Sequence, residues 1–258
     1  MSPGRIPAPA GVLFVDDGGR GGLPALLVHS LAGSSAHWTA QLAHLRPSRR
    51  TTALDLRGHG QSEPPNDGDY SIAGFAGDIA AVADSLSIAR FILVGHSMGG
   101  GVALTYAGAH PDRVAGLLLV DPIGDGKQMP SEETRSFLES LQADYNSVIQ
   151  GYWSQIAGPD TSIKERLLSD LRSTPRETVI HGFEGVMRFD PHPALARYRG
   201  PILSVVTQYN DQPFSLHRLG NGFPHRVVTE TGHWIQLDKP SETNRILDEF
   251  LVTVCGER

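Results

Sequence analysis

Phe91-Ile92-Leu93-Val94-Gly95-His96-Ser97-Met98-Gly99 is the stretch whose reading decides the fold. Four apolar residues in a row fit a strand buried on both faces, and the small residues after Ser97 fit a helix packed at close range. Glycines two before and two after the serine let neighbouring backbones approach a sharp turn, which lifts the hydroxyl above the sheet edge. A bare G-x-S-x-G match is weak. A strand before it and a helix after it, with Gly100 and Gly101 continuing the close-packing surface, make it specific. Ser97 is the candidate nucleophile.

A serine hydroxyl needs a base to take its proton, and the chain offers 11 histidines. His29, His37, His59 and His96 lie beside glycines and a tryptophan, where packing explains them as well as chemistry does. His110 falls at the expected end of the helix after Ser97, where an imidazole can bond free carbonyls. His233 differs, because Thr231-Gly232-His233-Trp234 follows the strand-like run Arg226-Val227-Val228-Thr229 and precedes the last helix. In a parallel sheet that loop shares an edge with Ser97. His233 is the candidate base.

Outward from this pair, short β-rich runs alternate with helical stretches. Strands are expected at 11–15, 25–28, 51–54, 91–94, 114–120, 202–206 and 226–228, and helices at about 35–46, 72–87, 98–109 and 241–253. Several strands are apolar throughout, as in a parallel sheet covered on both faces. From 124 to 198 no strand pattern appears, and helical patterns occupy 131–145 and 162–171. Aromatic and flexible apolar residues there include Phe137, Tyr145, Tyr152, Trp153, Phe183, Met187 and Phe189; each fits either a pocket wall or that segment's own small core.

Three further motifs stand in order with the serine turn. They are His29-Ser30-Leu31-Ala32-Gly33-Ser34, Asp55-Leu56-Arg57-Gly58-His59-Gly60-Gln61-Ser62, and Gly232-His233 followed by Leu237-Asp238-Lys239-Pro240. With them the chain resembles the α/β-hydrolase family over most of its length. The resemblance implies an α/β fold with a mostly parallel central sheet flanked by helices and a helical cap inserted before the penultimate strand. Residues 1–123 and 199–258 would form the core and 124–198 the cap. One departure is Ser30, where the family usually has glycine after the histidine; a serine restricts φ where glycine would not.

Acyl transfer also requires donors for the oxyanion. The residue after the nucleophile, Met98, supplies one backbone N–H, and the family's pattern makes the N–H of Leu31 the second. The acid that orients the histidine has two candidates. The family places an aspartate after the penultimate strand, yet counting through 202–213 puts Asn210 or Gln212 at that position, and an amide cannot stabilise an imidazolium by charge. A one-residue shift to Asp211 is the first reading. Asp121, at the end of the strand beside the nucleophile strand, is the second. Each also fits an ordinary turn.

Other classes find less support. With 258 residues the chain can bury one large core. A net charge of −6 and a pI near 6.0 offer no general attraction to nucleic acid or an anionic membrane. No H-E-x-x-H or Cys/His ligand set, no G-x-G-x-x-G after the first strand and no P-loop is present, so neither metal nor cofactor is expected. Serine at 97 argues against the relatives that use aspartate there for dehalogenation or epoxide opening. Lone Cys255 allows no internal disulfide, and the N-terminal stretch lacks an apolar core after its arginine, so a cytoplasmic protein without a leader is expected. Asp190-Pro191-His192-Pro193 fits a solvated loop better than a substrate contact.

The expected function is hydrolysis of a small carboxylic ester or lactone through an acyl-enzyme, in the manner of small esterases, enol-lactonases and carbon–carbon bond hydrolases. The competing expectation is a ligand-binding or sensing protein on the same fold with slow or vestigial hydrolysis.

Overall fold

The computed structural model describes residues 4–129 and 131–256. Residues 1–3 of the N-terminal stretch read above, Pro130 within the segment 124–198, and the last two of 199–258 lie outside them. The strands are β1 (Gly4–Ala8), β2 (Gly11–Gly18), β3 (Ala25–Val28), β4 (Thr51–Leu54), β5 (Phe91–His96), β6 (Val114–Val120), β7 (Ile202–Thr207) and β8 (His225–Val228). They form one sheet in the order β1-β2-β4-β3-β5-β6-β7-β8. β1, β2 and β4 pair antiparallel; every pairing from β4 through β3 to β8 is parallel.

The continuous apolar runs are explained by period-two burial on both faces. Leu26 and Val28, Phe91 and Leu93, and Leu117 and Leu119 point into one core. Leu27, Ile92, Val94, Leu118 and Val120 point into the other. Helices α2 (Ile72–Ser85) and α3 (Met98–Ala109) cover the first face through Phe75, Ile79, Val102 and Tyr106. Helices α1 (Thr39–Leu45) and α10 (Pro240–Cys255) cover the second through Leu42, Leu45, Leu247 and Phe250. α2 starts where the Ser71 hydroxyl accepts the Gly74 N–H at 3.0 Å. α10 opens on Pro240, whose missing N–H is an orphan in a first turn anyway, and stops at Gly256 in a left-handed conformation.

Between β6 and β7 the chain leaves the sheet for five helices, α4 (Ser131–Ala143), α5 (Tyr145–Ile156), α6 (Thr161–Ser173), α7 (Arg176–Met187) and α8 (His192–Arg197). Periodicity suggested two of them, α4 and α6; of the other three, α5 and α7 lie in the apolar-rich stretches around Trp153 and Phe183, and α8 is a six-residue turn that begins within the Asp190-Pro191-His192-Pro193 stretch. The expected helix at 35–46 begins as a 3-10 turn, Ser35–Trp38, before α1. β1 escaped the sequence reading because Pro7 lies within it; it is an edge strand, where a missing donor costs little. A four-residue helix, α9 (Ile235–Asp238), precedes α10. No helix among the described residues is long and apolar enough to cross a membrane.

The segment 55–62 after β4 is anchored by a buried ion pair. Arg57 donates to both oxygens of Asp78 on α2, the closest contact being 2.7 Å, and the Asp78 side chain is fully buried. Removing the carboxylate would leave a buried guanidinium with only the partly exposed Asp69 carboxylate 4.0 Å away. Asp78→Ala should cost about 3–5 kcal/mol in urea unfolding. Asp84→Ala, which breaks the exposed pair with Arg113, should cost under about 1 kcal/mol.

Candidate active site

Ser97 occupies the junction of β5 and α3 with φ 54° and ψ −119°, a conformation uncommon for any residue but glycine. Its N–H donates to the Val120 carbonyl at 3.0 Å, and its own carbonyl accepts from Gly100 and Ile123 at 2.8 and 3.2 Å. A Cβ at Gly99 would collide with the backbone carbonyls of Val28 and His29, and one at Gly95 with the Gly99 carbonyl. Both glycines are therefore required by the approach of the chain around the turn. Ser97 lies on the wall of a cavity of about 750 Å³ together with Ser30, Leu31, Met98, Asp121 and His233.

The sheet register brings these residues together. His96 pairs with Val120, so Ser97 and Asp121 are the next residues on adjacent strands. Val120 pairs in turn with Val205 on β7, and Thr207 pairs with Val228 on β8, whose following loop carries His233. His233 Nδ1 lies 2.5 Å from Asp121 Oδ2. The other oxygen of Asp121 accepts the Thr207 N–H at 2.7 Å and the Thr207 hydroxyl at 3.2 Å. A carboxylate that only accepts puts the proton on Nδ1 and leaves Nε2 of the neutral ring as an acceptor. Among the described hydrogen bonds none joins Ser97 Oγ to the ring; contacts of this kind often close only once substrate is seated.

Asp211, the first reading for the acid, is elsewhere engaged. Its carboxylate binds Arg218 through two contacts of 2.5 and 2.6 Å and His217 at 2.8 Å, and these partners hold it well below the usual carboxylate range. The aspartate against His233 is Asp121. The reason is the end of β7: Thr207 is turned toward Asp121, and Asn210, in the register expected for an acid, donates its side-chain amide to the Pro122 carbonyl at 2.9 Å. Asp211, His217 and His225 could offer three ligand atoms to a metal, the one such group among the described residues. A cation there would have to displace the Arg218 guanidinium.

His233 is also held through its backbone. Its N–H donates to the Ile156 carbonyl at the end of α5 (2.8 Å), and its carbonyl accepts from His96 Nε2 (2.9 Å). His96 Nδ1 accepts from the Gln236 side chain at 3.1 Å, which fixes the tautomer. Burial, and then the nearby His233, keep His96 far below the usual imidazole range, so it serves as a neutral donor. From the sequence His96 fits a packing residue as well as a functional one; its place one before the serine is the available signal.

On the opposite side, His29 Nε2 accepts the Leu56 N–H at 2.9 Å, so Nδ1 carries the proton and donates to the Ser30 carbonyl at 2.7 Å. Burial pushes this ring down to about 3. The Ser30-Leu31 loop is further closed by the Gly33 N–H on the Ser30 carbonyl. Left-handed backbone falls at Ala32, not at Ser30, so the serine fits without strain. Neither the Leu31 nor the Met98 N–H is spent among the described hydrogen bonds. The Asp190-Pro191-His192 stretch faces elsewhere: Asp190 pairs with Lys127 at 2.8 Å, and His192 with Asp125 at 3.1 Å.

A profile of the alpha/beta hydrolase fold matches residues 24–162, more than half of the chain. The chain belongs to the α/β-hydrolase family. This hydrolase is 41% identical over 266 residues to a 2-hydroxymuconate semialdehyde hydrolase of Pseudomonas putida, covering 89% of this chain and 87% of that one. It is 30% identical over 250 residues to the dihydrolipoyllysine-residue acetyltransferase component of an acetoin cleaving system, also of Pseudomonas putida; 91% of this chain matches, but it spans only 65% of that relative's length. A solved structure of an N-acyl homoserine lactone degrading enzyme superposes with a TM-score of 0.82 at 26% identity, covering 96% of this chain and 100% of the other.

The buried histidines predict a loss of stability on the acid side. His29 and His59 are pushed down to about 3 by burial, against 6.5 when free. Between these values the unfolded chain binds protons that the folded chain refuses, so stability is full above about 6.5 and is lost as pH falls toward 3. Each ring contributes a slope of up to about 1.4 kcal/mol per pH unit. Urea unfolding from pH 7 to 4.5 should show this fall. His59→Gln should reduce the slope by about one proton's worth, whatever its effect on stability at pH 7.

Proposed function

We propose that this α/β hydrolase cleaves carboxylic esters or lactones through a covalent acyl-enzyme. The observation that carries the reading is the Asp121 carboxylate on His233 Nδ1, in the cavity where Ser97 stands on its strained turn. Ser97 Oγ attacks the carbonyl carbon while His233 Nε2 takes its proton, and the charge on the carbonyl oxygen is met by the N–H groups of Leu31 and Met98. Collapse expels the alcohol portion, which receives the proton from His233; in a lactone it stays tethered to the acyl group. Water, activated by the same nitrogen, then frees the acid and restores Ser97.

Asp121 orients the ring and stabilises the imidazolium without itself taking the proton. Asp211 has no part in this assignment. His29 and His96 act as positioning residues, one for the oxyanion loop and one for the base. A second reading, hydrolysis of a carbon–carbon bond next to a carbonyl, draws on the 41% identity to the 2-hydroxymuconate semialdehyde hydrolase. It would use the same serine and histidine.

Activated aryl esters and lactones provide the test. Ser97→Ala should lower turnover on the order of a million-fold with little change in thermal midpoint, and should abolish labelling by a fluorophosphonate. Retention of more than a few per cent of activity in purified protein would remove Ser97 from the mechanism. Absence of labelling in the wild type would favour a binding protein with a vestigial site.

The two aspartates separate cleanly. Asp121→Asn should lower kcat about ten-thousand-fold, as an amide presents the wrong hydrogen-bonding partner to Nδ1–H, whereas Asp211→Asn should stay within a few-fold of wild type. Rates must be compared at equal folded fraction, because Asp121 is buried and bonded to β7. The reverse ranking would restore Asp211 as the acid.

A further inference from the structure

The cavity wall offers no positive side chain to a substrate. Among the described residues that line it there is no lysine and no arginine, and its formal charges are the carboxylates of Asp121 and Glu230. Met129, Tyr152, Trp153, Phe183, Val186 and Phe214 supply an apolar and aromatic surface. Cations in the neighbourhood face carboxylates of their own: Lys239 lies 3.9 Å from Glu230, and Lys127 2.8 Å from Asp190. What positive potential remains comes from the N-terminus of α3 and the Leu31 and Met98 N–H groups, all placed where the reacting oxygen would sit.

We propose that the cavity selects esters or lactones whose acyl and leaving portions are uncharged, and discriminates against substrates that carry an additional ionised carboxylate. The inference rests on the ester and lactone reading above and narrows its substrate class. An ionised carboxylate entering on the substrate would lose hydration without gaining a cationic side chain among the described lining residues, and would stand near the buried carboxylate of Asp121, with the exposed Glu230 at the rim. An alkyl or aryl group in the same place gains by covering the apolar wall.

Three p-nitrophenyl esters of matched length test this at neutral pH: the hexanoate, the adipate with its far carboxylate free, and the same adipate with its far group as a primary amide. The free acid should show kcat/KM at least about ten-fold below both the hexanoate and the amide. Met129→Lys, a substitution of similar length on the half-buried cavity wall, should shift the acid-to-amide ratio toward the acid by about ten-fold, with the thermal midpoint confirming the fold. A free acid cleaved within about ten-fold of the amide overturns the proposal while leaving the serine mechanism intact. An amide as slow as the acid also overturns it, since the penalty would then follow polarity and not charge. Failure to cleave all three, with no fluorophosphonate labelling of Ser97, removes the hydrolase reading and the proposal together.

Discussion

A left-handed serine between a buried strand and a helix is the constraint on which the rest of this site depends. Such a backbone costs on the order of 1–3 kcal/mol and persists only when its surroundings over-determine it. Here they do: the Ser97 N–H and carbonyl are both bonded, to Val120 on one side and to Gly100 and Ile123 on the other. The glycines at 95 and 99 permit the approach of the backbone that makes those bonds possible. Ala32, Asp121 and Glu230 are also left-handed, so four of the five described non-glycine residues with positive φ stand at or beside the cavity. Strain is concentrated where loops leave the carboxyl edge of the sheet.

The same constraint made the fold legible. Only a strand–turn–helix unit accommodates the small residues around Ser97, and the apolar runs at β3, β5 and β6 could be satisfied only by a sheet covered on both faces. Ser97 and His233 followed from that geometry, because both lie just beyond strand ends on one edge. Which aspartate meets His233 did not follow, since it depends on which strand end turns toward the histidine, and that is decided by contacts remote in sequence. Thr207 and Asn210 both direct their donors toward the Asp121–Pro122 turn, which leaves no place for a carboxylate from β7. The amides at 210 and 212 were the visible trace of this arrangement. Propensity and spacing could register that something was missing after β7 without saying what replaced it.

Asp121 gains a property from its strand. An acid at the tip of β6 is adjacent to the nucleophile strand through the sheet ladder itself, and its N–H is bonded to Val205 at 2.6 Å. Its position relative to Ser97 is therefore set by the sheet register, with no flexible loop intervening. An acid carried by the 208–213 loop would depend on that loop's own conformation. The cost is that Asp121 is almost fully buried, and its carboxylate needs the Thr207 donors as well as the histidine to be satisfied.

His233 is the least autonomous member of the group, because it sits in a loop and is fixed by three separate elements. Asp121 on β6 holds the ring, His96 on β5 holds the carbonyl, and Ile156 at the end of α5 holds the N–H. The first two belong to the sheet and are rigid with respect to Ser97. The third belongs to α5, and Gly232 is pressed so closely against Ala157 and Gly158 that a side chain there would collide with them. The helices between β6 and β7 thus form a wall of the cavity and at the same time one of the three contacts that fix His233. The helical segment between β6 and β7 therefore meets the His233 loop through one backbone hydrogen bond, the packing of Gly232 on Ala157 and Gly158, and the contact of Trp153 with Trp234.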